Sequence, residues 1–200
     1  PANGVWSATS SADLPADASS ELKVNAPKLR GHVALLKART ALGVEPGKGL
    51  ADLEALRKKY GKVPATASSY LVEGRHLAAL GRHAEAQARF LALFKDFTGD
   101  ATLSEFAELG LYEAAEEAAR QAPVDGEEKL KEAVELLEKF METYPQSPLL
   151  FRVALRRAEL LRSLGNFDGA LLVLNRLIRE KPDHPYRAQA EMARADSLLG

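Results

Sequence analysis

The segment Tyr70-Leu-Val-Glu-Gly74-Arg-His-Leu77-Ala-Ala-Leu-Gly81-Arg-His83-Ala-Glu-Ala86-Gln-Ala-Arg-Phe90 decides the fold. It aligns without a gap with Ala154-Leu-Arg-Arg-Ala158-Glu-Leu-Leu161-Arg-Ser-Leu-Gly165-Asn-Phe167-Asp-Gly-Ala170-Leu-Leu-Val-Leu174. In each, a small residue is followed by an apolar one three later and a Gly four after that. A ring comes two beyond the Gly, then an Ala three later and a large apolar residue four beyond it. Each step has a physical purpose in a helix–turn–helix unit. Gly74 or Ala158 lets the second helix approach closely, and Gly81 or Gly165 ends the first helix where a left-handed residue is required. Ala86 or Ala170 sits where two helices cross, and Phe90 or Leu174 fills the space between units.

The same crossing position recurs at Gly49, Ala86, Ala133 and Ala170, with Leu53, Phe90, Leu137 and Leu174 four residues on. The intervals are 37, 47 and 37 residues. Proline-bearing breaks recur as well: Tyr60-Gly-Lys-Val-Pro64, Tyr144-Pro145-Gln-Ser-Pro148 and Lys181-Pro182-Asp-His-Pro185. One proline stops a helix and the next opens its successor. The pattern predicts helices near 26–43, 48–60, 67–80, 83–97, 102–121, 127–143, 148–164, 167–180 and 185–199. The extra length before Ala133 is expected as a longer loop at Gln121-Ala-Pro123-Val-Asp-Gly126, with the preceding helix lengthened beside it. Residues 1–24, rich in Ala, Ser, Pro and Asp, read as a flexible lead-in, on which Trp6 and Leu14 are available to pack on the first helices. Residues 25–200 read as one helical repeat domain of about four hairpins and a last helix. A start without Met and an end inside a helical pattern suggest a processed or trimmed chain whose natural form continues.

This pattern resembles the tetratricopeptide repeat. The resemblance implies an all-α fold, a right-handed α-solenoid of helical hairpins, and a non-enzymatic role in binding other proteins. The 37-residue interval and the run Glu138-Lys-Phe140-Met-Glu-Thr-Tyr144-Pro-Gln-Ser-Pro148 are similar to the bacterial cell-envelope branch of that family, as in the Tol-Pal coordinator and the lipoprotein of the outer-membrane assembly machine. That branch implies a periplasmic or envelope-associated setting, the alternative being cytoplasmic. The first repeat, with Lys37 and Gly49 at positions usually small or Ala, and the acidic third depart from it.

Composition sets further bounds. The chain is 46% hydrophobic and 28% charged, ordinary for a protein with a packed core. A net charge of −1 argues against nucleic-acid binding, which needs surplus Lys and Arg. The charge is uneven: +7 over 26–97, −8 over 101–145 and +4 over 146–187, counting Lys and Arg against Asp and Glu. Solvated helix faces with i,i+4 pairs would account for this, and an acidic patch for a basic partner is the sharper alternative. With no cysteine, disulfides and thiolate metal sites are excluded. No apolar run approaches the roughly 20 residues of a transmembrane helix.

Searching for chemistry returns little. Glu73 and His76 have the i,i+3 spacing of di-iron bundle ligands, but such sites need a second copy and further carboxylates. His83 occupies an aromatic slot and is expected to pack against the neighbouring repeat; His184, in a proline-flanked turn, is expected in solvent. Gly43-x-x-x-Gly47-Lys48-Gly49 lacks the hydroxyl residue and preceding strand of a phosphate-binding loop, and reads as an ordinary loop. Glu113, Glu116, Glu117, Glu127 and Glu128 are spread along helix faces. No catalytic residue, cofactor or metal ligand is assigned.

The first helices of stacked hairpins line the concave surface that solenoids use for binding. The repeat register places Ser68, Leu71, Arg75 and Ala78, then Ser104, Ala107, Leu111 and Ala114, then Arg152, Leu155, Glu159 and Arg162 on that surface. Leu71, Leu111 and Leu155 would form an apolar floor with arginines at both ends, suited to a peptide or protein partner carrying acidic residues. A spacer or oligomerisation module without a separate ligand is the alternative. The oligomeric state is not encoded in the pattern.

Overall fold

Ala, Leu, Glu and Arg lose little side-chain freedom in a helix. In the computed structural model the described residues are 20–199, and they contain nine helices and no strand. In chain order these are α1 (Ser20–Val44), α2 (Pro46–Tyr60), α3 (Pro64–Ala79), α4 (His83–Phe97), α5 (Ser104–Asp125), α6 (Glu127–Thr143), α7 (Leu150–Ser163), α8 (Phe167–Glu180) and α9 (Arg187–Leu199). The lead-in lies outside the described residues as far as residue 19, and from Ser20 the backbone is helical.

The punctuation acts as its chemistry dictates. Gly61, Gly81, Gly126 and Gly165 have φ between 60° and 78°, the left-handed region that side chains with a Cβ enter at a cost. Pro46 and Pro64 open α2 and α3, where the missing N–H is no loss. Asn166 caps α8, its side-chain oxygen accepting the Gly169 N–H at 2.9 Å.

Three local expectations are corrected. α1 runs through Pro27 instead of starting beside it. Gly47 and Gly49 lie in the first turn of α2, where the sequence pattern suggested a loop. The longer loop expected at 121–126 is helix: α5 continues through Pro123 to Asp125, and only Gly126 separates it from α6. Pro123 sits in the last turn, where giving up one backbone bond is cheap compared with breaking the helix interior. The extra length goes into α5, 22 residues against 16 in α3.

The chain forms two compact units, divided inside α3 between Glu73 and Gly74. In the first, Leu35, Ala38 and Leu42 of α1 pack with Leu53 and Leu56 of α2 and with Ala65. Arg57 lies beneath them in an ion pair with buried Glu73 at 2.6 Å and over the Tyr70 ring at 4.7 Å. Contact between α1 and α2 depends on Gly49, where a Cβ would stand 2.5 Å from the Leu42 nitrogen. That neighbour is backbone and cannot swing away. Gly49→Ala is expected to destabilise the first unit by about 1–2 kcal/mol, the overpacking strain being partly offset by alanine's helix propensity. Gly47→Ala, in the same turn but with nothing within 4 Å of the added Cβ, should instead stabilise by about 0.5–1 kcal/mol. Urea midpoints moving the same way for both would refute this packing.

In the second unit the largest fully buried apolar side chains are Phe90, Leu93, Phe97, Leu111, Leu137, Phe140, Val153 and Leu174, supplied by α4 to α8. The crossing residues Ala86, Ala133 and Ala170 are all at 0% exposure, as the repeat register requires. Gly74 faces Phe90, a Cβ there standing 2.5 Å from the ring. Gly110 does something different: its Cβ would meet the Phe90 carbonyl oxygen at 2.8 Å, so α5 presses on the backbone of α4.

Candidate functional site

The surface selected by the repeat register divides between the two units. Ser68 and Leu71 belong to the first, where Ser68 is half-buried and Leu71 buried. Arg75, Ala78 and the selected residues of α5 and α7 belong to the second. There Arg75, Arg152 and Glu159 are exposed, and Ala78, Ser104, Leu155 and Arg162 are half-buried. Ala107, Leu111 and Ala114 are at 0% exposure and cannot touch a partner. The apolar floor is therefore absent at Leu71 and Leu111, which are core residues.

The reason lies in the rotation of α5. Ala107, Leu111, Ala114 and Ala118 recur at i, i+4, i+7 and i+11, the stripe that a helix turns inward. Carrying the α3 register unchanged onto α5 put that stripe outside, although Gly110 meets the α4 backbone where Gly74 meets the Phe90 ring. The accessible side of α5 carries Tyr112, Glu113 and Glu116 instead. The inward stripe was visible in the sequence, and it is the signal that would have found these residues.

These three side chains tie α5 to the first helices on either side. Glu113 Oε1 accepts Arg75 Nη2 at 2.7 Å, and Glu116 Oε1 accepts Arg156 Nε at 2.8 Å. Arg156 also reaches Glu159 at 3.0 Å. Arg152 stands over the Tyr112 ring, 5.9 Å from its centre, and no carboxylate pairs with it among the described residues. Arg162 of α7 lies 3.5 Å from Asp196 of α9. Burial first, and then the Glu116 carboxylate, hold the Tyr112 phenol above its ordinary pKa. Burial works against the charge on Arg156, but Glu116 and Glu159 outweigh it and raise that guanidinium above its usual value. The acidic middle of the chain is thus answered by its basic flanks across hairpins, through Glu113, Glu116 and Glu138, which pairs with Arg157 at 2.7 Å. Pairs within one helix, such as Lys131–Glu128, take up only part of it.

Behind this face a polar chain is buried between α4, α5 and α6. Glu117, 1% exposed, accepts from His83 Nδ1 at 2.7 Å and from Arg120. Gln121 donates to Gln87 at 2.8 Å, and Gln87 donates to Glu132 at 2.7 Å. His83 therefore does pack against the next repeat, through a hydrogen bond. His184, expected in solvent, stacks on Phe151 with ring centres 3.8 Å apart and is half-buried. Glu73 is committed to Arg57. Among the described residues no group of three His, Asp or Glu side chains could hold a metal ion, and no helix is long and apolar enough to cross a membrane.

A cleft of about 550 Å³ opens between α6, α7 and α8. Met141, Leu150, Val173 and Leu177 line it, and Glu138, Arg157, Arg176 and Glu180 stand around it. Arg157–Glu138 and Arg176–Glu180 are paired, so the cleft presents neutralised polar edges around an apolar lining.

No curated protein sequence matches the chain. In the solved structures it is similar to the TPR-like repeats of a Podosopora anserina protein described as a kinesin light chain with nearly identical repeats. The TM-score is 0.59 at 17% identity, covering 86% of this chain and 87% of that one. A single-substitution form of the same protein gives 0.61, also at 17% identity, with 86% of each chain covered. At that identity the likeness establishes the fold. Residues 126–195 match the sequence profile of the tetratricopeptide repeat, and the fold is accordingly all-α, built from tetratricopeptide-like helical hairpins of the solenoid class.

Proposed function

We propose that the protein is a non-enzymatic interaction scaffold, and that the first-helix face of its second unit takes an acidic peptide segment of a protein partner. The observation that carries this reading is Arg152, exposed, resting on Tyr112 and paired with no carboxylate among the described residues. An arginine on an aromatic ring keeps its N–H donors available for a partner's carboxylate. Arg75 and Arg156 flank it, and their exposed edges allow partner carboxylates to share or replace Glu113 and Glu116. Tetratricopeptide-type repeats bind proteins and peptides as a class, which supports the scaffold role. Fold alone does not name the ligand.

The test is fluorescence anisotropy with a labelled synthetic peptide of alternating Glu and Leu. Arg152→Glu should weaken its binding at least about tenfold, equivalent to about 1.4 kcal/mol, with circular dichroism unchanged. Binding that ignores this substitution would overturn the acidic-peptide reading. A second reading, an architectural spacer, is favoured by one observation: Arg75, Arg156 and Arg162 are already neutralised by the protein's own carboxylates. Complete indifference to acidic peptides would put it ahead. A bacterial envelope setting is proposed on the resemblance of the 37-residue interval and the Glu138–Pro148 run. Recovery from the periplasmic fraction of the source cells would support it, and recovery only from cytosol would not.

A further inference from the structure

Opposite its core contacts, α1 carries an apolar face that has no partner among the described residues. Leu29 is 62% exposed, Val33 46%, Leu36 47% and Val44 76%. At 100° per residue these four fall within an arc of roughly 80°, while Leu35, Ala38 and Leu42 point the other way into the first unit's core. Basic side chains border the strip on both sides: Arg30 and Lys37 on one, and His32, Arg39 and Lys28 on the other. From Ala26 to Val44 the helix contains no Asp or Glu. The nearest carboxylate in sequence is Glu45, just beyond its end.

We propose that this face of α1 lies on an anionic lipid surface, with Leu29, Val33, Leu36 and Val44 entering the headgroup boundary and Lys28, Arg30, Lys37 and Arg39 meeting lipid phosphates and carboxylates. A helix that lies in a membrane interface combines an aliphatic strip with cations along its borders, and an anionic leaflet attracts each such cation. A protein partner is less well matched. The strip protrudes from a single convex helix, whereas partner proteins generally place anchoring side chains in concave, fully desolvated pockets. The contact is peripheral, since no described helix can span a bilayer. It uses residues separate from the α5–α7 face.

The experiment is co-sedimentation of the full chain with phosphatidylcholine vesicles containing about one-third phosphatidylserine, beside pure phosphatidylcholine vesicles, at low and at physiological salt. Retention on the anionic vesicles only, weakened by salt, is the expected result. Lys37→Glu with Arg39→Glu should lower the partition coefficient at least about tenfold, because two attractions become repulsions. Val33→Glu with Leu36→Glu should lower it as much, and a milder Val33→Ser, Leu36→Ser pair serves if the first fails to fold by circular dichroism. No retention on anionic vesicles would overturn the proposal. So would retention that either pair leaves unchanged. Retention abolished by soluble polyglutamate but indifferent to Val33 and Leu36 would reassign the face to an acidic protein and equally overturn it.

Discussion

Phe90→Ala should lower the unfolding free energy of the second unit by about 3–5 kcal/mol, read as a loss of urea midpoint at unchanged slope. Phe90 is at 0% exposure, so the truncation removes its full transfer term and leaves a void that fixed helices cannot close. The structure also predicts which neighbours couple to it. A Cβ on Gly74 would meet the ring carbons of Phe90 at 2.5 and 2.6 Å, whereas a Cβ on Gly110 would meet the Phe90 carbonyl oxygen and the Phe94 nitrogen. Gly74→Ala is therefore expected to cost about 1–3 kcal/mol in the native background and under about 1 kcal/mol after Phe90→Leu, which withdraws the ring edge. Gly110→Ala should cost the same in both backgrounds, because its obstacle is backbone. Equal coupling of the two glycines to Phe90 would refute the assignment of their different roles.

The double substitution His83→Ala, Arg120→Ala should destabilise the second unit by about 3–5 kcal/mol, because it strips both hydrogen-bond partners from the buried carboxylate of Glu117. Removing Arg120 alone costs less, since its side chain is 51% exposed and His83 still donates. Adding Glu117→Leu to the double variant should restore most of the loss: a buried apolar side chain of similar size has no charge to leave unpaired. Measured by urea unfolding, failure of that third substitution to recover stability would mean that the cost comes from packing around His83, and that the buried charge is incidental. Gln87, Gln121 and Glu132 continue the chain toward α6, which makes this polar seam the part of the core where one hydrogen bond depends on the next.

Much of the site's chemistry was present in the sequence but out of register. Arg75, Arg152, Glu159 and Arg162 were selected from the repeat pattern and do lie on or near the accessible side of the second unit. Tyr112, Glu113, Glu116 and Arg156 were passed over, and three core residues, Ala107, Leu111 and Ala114, stood in their place. The error came from carrying the register of Ser68, Leu71, Arg75 and Ala78 unchanged onto α5. Gly74 and Gly110 both lie against α4, one on the Phe90 ring and the other on the backbone, and the sequence around a glycine does not say which of the two it meets. The pairing of Glu113 with Arg75 and of Glu116 with Arg156 spans 38 and 40 residues, so no local pattern could reveal it.

By itself the sequence determined the helices and their hairpin punctuation, because both rest on interactions within a few residues. Gly81 and Gly165 supply a left-handed backbone, Pro64 opens a helix, and small residues at Ala86, Ala133 and Ala170 mark the crossings. Tertiary packing decided the rest. It buried Leu111, Ala114, Ala118 and Gln121 along one side of α5. It turned α5 so that its glutamates face neighbouring arginines, buried Glu117 against His83, and left the aliphatic strip of α1 exposed. Each of these depends on which helix lies alongside, a property of the assembled chain that no short stretch of it contains.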